Sequence, residues 1–323
     1  MQGETGLSAG AGTGDVWSQR PIAAHGDAGA DTRTGPTGTL VVVGPGLLGG
    51  SFALAARSHG FSGRVLGVAR RAATRAAAVA AGVVDEATDD LRGALAQADL
   101  VVLATPVSTF GSIFREAAAV LPDSSTLIDL GSTKHSVVLA AERELGHRLP
   151  MLVPCHPMAG GTATGPAAAR ADLFRGCVTA VTPVPQTDPA RLGWVTTVWS
   201  VLGASVLQMT PTDHDHQAAV VSHLPHVLAV CCREVAREGG AESALAASGY
   251  AGVTRLADGD PQMRAAILRE NQAAVLAAMD RFADKLAAAR ARVAAGDPAA
   301  LVAWLEAVRG GATDAASDGP EAA

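Results

Sequence analysis

The chain has 323 residues, 48% of them hydrophobic, which is enough apolar material for two domains with cores of their own. Its 25 basic and 31 acidic residues leave a net charge of −6, and no basic cluster is present to neutralise a run of phosphates, which argues against nucleic acid as a partner. The longest apolar runs, 40–43 and 100–104, are strand-sized against the roughly 20 residues that span a bilayer, so no membrane partner is expected.

Residues 1–38 are rich in Gly, Ala, Thr and Asp and lack the basic-then-apolar pattern of a secretory signal, so they read as a disordered leader. Over 39–210, short β-branched or apolar runs alternate with Ala-rich helical stretches, the pattern of a Rossmann-like α/β domain with a mostly parallel sheet. Strands are expected at 40–44, 65–68, 99–105, 126–130, 152–155, 178–182 and 205–209. From 211 to 310 apolar residues recur at helical spacing, through 213–238 and 262–293, which predicts an all-α second domain. Residues 311–323 return to small and polar types and read as a loose tail. Cys155, Cys177, Cys231 and Cys232 form neither a disulfide framework nor a C-x-x-C metal pair, as a reducing cytoplasm would allow.

The first strand runs into Gly44-Pro45-Gly46-Leu47-Leu48-Gly49. A lone G-x-G-x-x-G is weak among 36 glycines, but here a strand precedes it and a helical run, 51–58, follows. Gly44 permits the tight turn, Gly46 lets backbone approach a pyrophosphate, and Gly49 lets the helix pack on the strand. Leu47 and Leu48 belong to the same cofactor-binding turn, and the N-terminus of the helix that follows faces the phosphates. The second strand ends Gly67-Val68-Ala69-Arg70-Arg71. Where a carboxylate would hold the ribose 2′-hydroxyl of NAD, two guanidiniums stand ready to fork onto a 2′-phosphate, so NADP is favoured over NAD.

Ligands of an open α/β sheet bind beyond the carboxyl ends of its strands. Three such ends converge there: Ala104-Thr105-Pro106, beside the cofactor; Gly131-Ser132-Thr133-Lys134; and Pro154-Cys155-His156-Pro157. His156 is the candidate base, since an imidazole can take an alcohol proton near neutral pH, and Ser132 can orient the same substrate oxygen. The helical domain opens with Asp213-His214-Asp215-His216 and continues through Ser222-His223-Leu224-Pro225-His226. His223 and His226 share a helix face, but no Glu completes a zinc arrangement and no metal is expected. The remaining readings are a substrate pocket lined from the second domain or a filled helix interface.

Five segments in order, GPGLLGGSFALAAR (44–57), DLGSTK (129–134), CHPMAG (155–160), DHDHQAAVVSHLPHVLA (213–229) and SGYAGVTRLADGDPQMRAAILRENQ (248–272), resemble the prephenate and arogenate dehydrogenases of tyrosine biosynthesis. The resemblance implies NAD(P)-dependent oxidation of a ring carbinol with loss of the ring carboxylate as carbon dioxide. It also implies a homodimer formed through the helical domain. By it His156 matches the histidine bonded to the ring hydroxyl, Ser132 the serine beside hydroxyl and nicotinamide, Arg255 the arginine on a substrate carboxylate, and His226, with Ser222 near it, the pocket wall. Two family carboxylates are replaced, by Thr162 and Gly252, so a gate they form elsewhere is absent or rebuilt. The Arg70–Arg71 pair and the 161–163 variant look closer to NADP-using arogenate enzymes. A β-hydroxyacid or imine reductase shares this general plan, but a hydroxyacid enzyme would carry a lysine on the first long helix of the second domain, and the only lysines are Lys134 and Lys285. A dinucleotide sensor without chemistry is the third reading, because fold alone does not prove catalysis.

Overall fold

A computed structural model of the chain describes residues 16–21, 38–161, 163–239 and 246–309. Its strands are β1 (Thr39–Val43), β2 (Arg64–Val68), β3 (Glu86–Thr88), β4 (Leu100–Leu103), β5 (Thr126–Asp129), β6 (Leu152–Val153), β7 (Cys155–Pro157), β8 (Val178–Val181) and β9 (Ser205–Gln208). The first six form one parallel sheet in the order β3-β2-β1-β4-β5-β6. This doubly wound order reverses direction between β1 and β4, where ligands bind.

Strand periodicity divides the core. Leu40 and Val42 of β1 join Phe52, Phe174 and Trp199 on one face, while Val41 and Val43 join Phe110, Phe114 and Leu127 on the other. Both faces are covered, which explains why β1 and β4 read as unbroken apolar runs rather than alternating ones.

The expected strand at 152–155 is two strands. Pro154 has no N–H to donate, so the chain leaves the large sheet there, and β7 pairs antiparallel with β8 in a separate three-stranded sheet, β7-β8-β9. The short, polar β3 escapes a reading based on apolar runs; it exists because it pairs with β2.

Helices Pro189–Val201, Pro261–Glu270 and Pro298–Glu306 share one start. An Asp at the N-cap accepts backbone N–H bonds, and Pro fills the first helical position, where no N–H is missed. Thr210-Pro211 does the same for Pro211–Ala218. The next turn, Ala219–His223, is a π-turn. It precedes Pro225, whose ring and missing N–H disturb a regular ladder, and the helix resumes as Leu224–Glu238.

The expected continuous helix at 262–293 breaks at Asn271, between Pro261–Glu270 and Gln272–Ala295. The Asn271 side chain is drawn inward, its Nδ2 2.7 Å from the carbonyl of Asp215. The stretch Pro211–Glu238 has the length and apolar character of a membrane-crossing helix, which a search for unbroken apolar runs overlooks. Its buried side, however, carries His214, Asp215 and His223, all engaged in protein hydrogen bonds.

By its internal contacts the chain divides into two compact units, ending and beginning at 272/273. The helix opening at Pro211 is bonded to the sheet domain through Asp215, whose oxygens accept the N–H groups of Lys134 and His135.

The disordered-leader expectation needs correction over 16–21. Trp17 is fully buried, edge-on to Phe61 and Trp194. Trp194 Nε1 donates to the Val16 carbonyl at 2.8 Å, and Arg20 pairs with Asp99 at 2.6 Å. One tryptophan inside a small-residue stretch is enough to order it, because it brings the apolar area its neighbours lack. The rest of the leader, 1–15 and 22–37, lies outside the described residues, as do Thr162 and the 311–323 tail.

Candidate active site

Gly44 has φ +92°, and a Cβ there would stand 2.8 Å from the Ala104 carbonyl and 2.9 Å from Thr105 Cγ2. Only glycine meets both constraints. A Cβ on Gly49 would meet the Gly44 carbonyl at 2.5 Å, whereas Gly46 faces open space. No side chain caps the helix Leu47–Ser58, and its first turn holds no acid. Its N–H groups and positive dipole end therefore suit an anion, and the residues present fit a dinucleotide pyrophosphate. Thr105 is braced by Thr109 at 2.8 Å, and Pro106 follows it past the end of β4. At the end of β2, Arg75 bonds the Ala69 and Arg70 carbonyls and pairs with Asp89. Arg70 and Arg71 are exposed and have no ion-pair partner among the described residues.

The loop after β5 is tied from beneath by a buried ion pair. Lys134 and Asp129 are both fully buried and in contact. Lys134 Nζ also donates to the Cys155 carbonyl at 2.6 Å, and Asp129 accepts from the N–H groups of Gly131 (2.9 Å) and Cys155 (3.1 Å). One pair thus sets the positions of both segments that carry the expected chemistry, 131–134 and 155–157. Ser132 sits half-buried on the first of these, its hydroxyl without a partner among the described residues.

His156, opposite Ala180 in the β7–β8 ladder, is buried. Its Nδ1 lies 2.8 Å from His214 Nε2, and His214 Nδ1 lies 2.8 Å from Asp215 Oδ1. Burial pushes the Asp215 carboxyl up, but the bonds from His214 and from the Lys134 and His135 N–H groups outweigh it, and the net shift is downward. As a carboxylate Asp215 only accepts, so His214 carries its proton on Nδ1 and accepts at Nε2. His156 must then donate from Nδ1, which leaves the lone pair on its Nε2. Burial first, then the charges of His214, Lys134 and His223, hold His156 well below its ordinary value, so it is neutral. A Cβ on Gly161, five residues on, would stand 3.6 Å from Leu47 Cδ2, so this segment adjoins the dinucleotide turn.

His214 and Asp215 stand out in the sequence only as members of an ionisable cluster. Their service to His156 depends on a contact 58 positions apart, which no local pattern signals. His223 and His226 each spend one ring nitrogen on the protein: His223 Nδ1 accepts from Asn271 Nδ2 at 3.2 Å, and His226 Nδ1 bonds the Leu256 carbonyl at 3.0 Å. Ser222 is half-buried on the π-turn, directly before His223.

Arg255 is exposed at the start of the turn Arg255–Asp258, and no hydrogen bond joins it to His156 or Ser132. It lines a hollow of about 520 Å³ with Arg233, Tyr250, Gly252, Thr254 and Asp258. His226 is thus tied to the turn that Arg255 begins, while His156 and Ser132 lie on the two segments held by the Lys134–Asp129 pair.

Two family models match the chain: the nucleotide-binding domain of prephenate dehydrogenase over residues 52–208, and its dimerization domain over 210–307. The cyclohexadienyl dehydrogenase of Zymomonas mobilis is 30% identical over 265 residues, covering 80% of this chain and 89% of that protein. Among solved structures, the Aquifex aeolicus prephenate dehydrogenase bound to hydroxyphenyl propionate and NAD+ superposes with a TM-score of 0.78 at 30% identity, over 85% of this chain and 97% of that one. The Synechocystis arogenate dehydrogenase gives 0.72 at 28% identity, over 84% and 98%.

Proposed function

The chain belongs to the prephenate dehydrogenase family, and from that premise we propose that His156, Ser132, His226 and Arg255 carry out an NADP-preferring oxidative decarboxylation of prephenate or arogenate. The protein is an NAD(P)-dependent oxidoreductase, and the reaction converts the ring carbinol and ring carboxylate into a phenol and carbon dioxide. The observation that carries the site assignment is the chain Asp215–His214–His156, which leaves an acceptor nitrogen at a strand end beside the glycine turn.

A dinucleotide held at the Gly44–Gly49 turn would supply the hydride acceptor for oxidation of the ring carbinol. His156 Nε2 accepts the hydroxyl proton as that carbon is oxidised, and Ser132 holds the oxygen in line. The electron pair of the departing carboxylate aromatises the ring, and the proton held at His156 returns to the phenolate oxygen. Arg255 binds the carboxylate at the substrate's far end, and His226, through the Leu256 carbonyl, positions the turn bearing that arginine. The assay that tests this reading is turnover of prephenate and of arogenate, each with NAD and with NADP; no turnover in any combination would refute it.

Arg70 and Arg71 support NADP, since free guanidiniums pair with a 2′-phosphate and no carboxylate follows β2 directly. Replacing both by Ala is expected to weaken NADP binding by about 10- to 100-fold, as for loss of charge-assisted bonds, with NAD little affected. Equal effects on the two cofactors would count against the assignment. The description of the second family model as a dimerization domain supports a homodimer, as do the exposed Val221 and Val235 on the helix ending at Glu238 and Leu286, Val293, Val302 and Leu305 on the later helices. Sedimentation should give twice the 32.4 kDa chain mass; a monomer at micromolar concentration would contradict it. The four cysteines stand free, as a reducing compartment allows.

A further inference from the structure

Three basic side chains meet at one turn. Arg255 begins it, His226 is bonded to its Leu256 carbonyl, and Arg264 lies against its end, where a Cβ on Gly259 would stand 2.9 Å from Arg264 Nε. Arg264 is half-buried, and its Nε is buried without a hydrogen-bond partner. Nearby His223 is in the same condition at Nε2. The acids of this neighbourhood are engaged elsewhere. Asp258 accepts from Arg233 at 2.6 Å, and Asp260 caps the helix Pro261–Glu270 through the N–H groups of Gln262 and Met263. At position 252, where a carboxylate would face Arg255 from the preceding helix, there is only glycine. Among the described residues neither Arg255 nor Arg264 has an ion-pair partner.

A partly desolvated guanidinium with an orphaned N–H is unfavourable until an anion reaches it. Burial first depresses both His223 and His226, and the Arg264 charge adds to it, while the Asp215 carboxylate opposes it at His223. His223 links this cluster to the base, because Asn271 bonds both His223 and the Asp215 carbonyl. We propose that Arg264 is a specificity residue which, with Arg255, grips the substrate's side-chain carboxylate and disfavours an ammonium beside it, selecting an α-keto-acid over an α-amino-acid side chain. The proposal rests on the family reaction assigned above. The carboxylate concerned is the one the product retains, since a tight grip on the departing ring carboxylate would oppose its loss.

The test is equilibrium binding of 3-(4-hydroxyphenyl)propionate and of tyrosine to the NADP-loaded full-length protein. These two phenols differ by the ammonium next to the carboxylate. Wild type is expected to bind the propionate at least 10-fold more tightly. Arg264→Gln should lose about 10- to 100-fold of propionate affinity, the usual scale for a charge-assisted bond, and little of its tyrosine affinity. Arg264→Lys should restore part of the loss, and unchanged dinucleotide binding by both variants verifies their fold. Propionate binding to Arg264→Gln at wild-type strength would overturn the proposal while leaving the family reaction standing, as would tyrosine binding as tightly as propionate to wild type. Failure of wild type to bind either phenol would instead remove the reading on which the proposal rests.

Discussion

His156→Asn is expected to lower kcat by about 10²- to 10⁴-fold, the usual contribution of a positioned general base, while NADP affinity stays near wild type. Asparagine can still donate to His214 Nε2, so the Asp215–His214 arm keeps its bonds and the loss falls on proton transfer. Stopped-flow turnover together with a fluorescence titration of NADPH separates the two effects. Retention of more than about a tenth of kcat would mean that the acceptor lies elsewhere. Wild type should also keep its kcat/KM through pH 6.5, because His156 is held well below that value by burial.

Stability should respond to pH in the opposite sense. The folded values of His156 and His223 are depressed, that of His223 to about 4. Above pH 6.5 both states are neutral and nothing changes. As pH falls from 6.5 toward 4, the unfolded chain takes up protons that the folded chain resists, and stability is lost. The urea midpoint should therefore be lower at pH 5 than at pH 7.5.

The largest structural loss is expected at the pair beneath the site. Lys134→Met leaves Asp129 buried without its counter-ion and should cost about 3–5 kcal/mol in urea unfolding. The double variant Asp129→Leu with Lys134→Met should recover much of that stability, because two apolar side chains need no ionic partner. The double variant would nevertheless turn over poorly, since the Gly131 and Cys155 N–H groups lose the carboxylate that aligns them. A loss below about 1 kcal/mol for the single variant would show that the pair is not sealed from water.

How much of this was legible beforehand follows the range of each interaction. The glycine turn, the apolar strands and the helical C-terminal half are written in runs of four to twenty residues, because backbone geometry and periodic burial are local. His156 and Ser132 were singled out as candidates by the same logic, as residues just past expected strand ends. Pro154 carried a readable signal, a missing donor inside an expected strand, and that signal marks the change of sheet. Trp17 was hidden by its composition, since its partners Phe61 and Trp194 lie 44 and 177 positions away.

The amino-acid sequence by itself determined the doubly wound domain and marked the dinucleotide turn, the arginines proposed to face the cofactor and the proposed proton acceptor, each through chemistry confined to a short segment. Only the tertiary structure decided which nitrogen of His156 is free, that Lys134 is buried under the site rather than facing a ligand, and that Arg264 stands without an acid. The physical reason is that tautomers, desolvation and orphaned donors are set by what packs around a group, and here those neighbours come from strands and helices up to 81 positions apart.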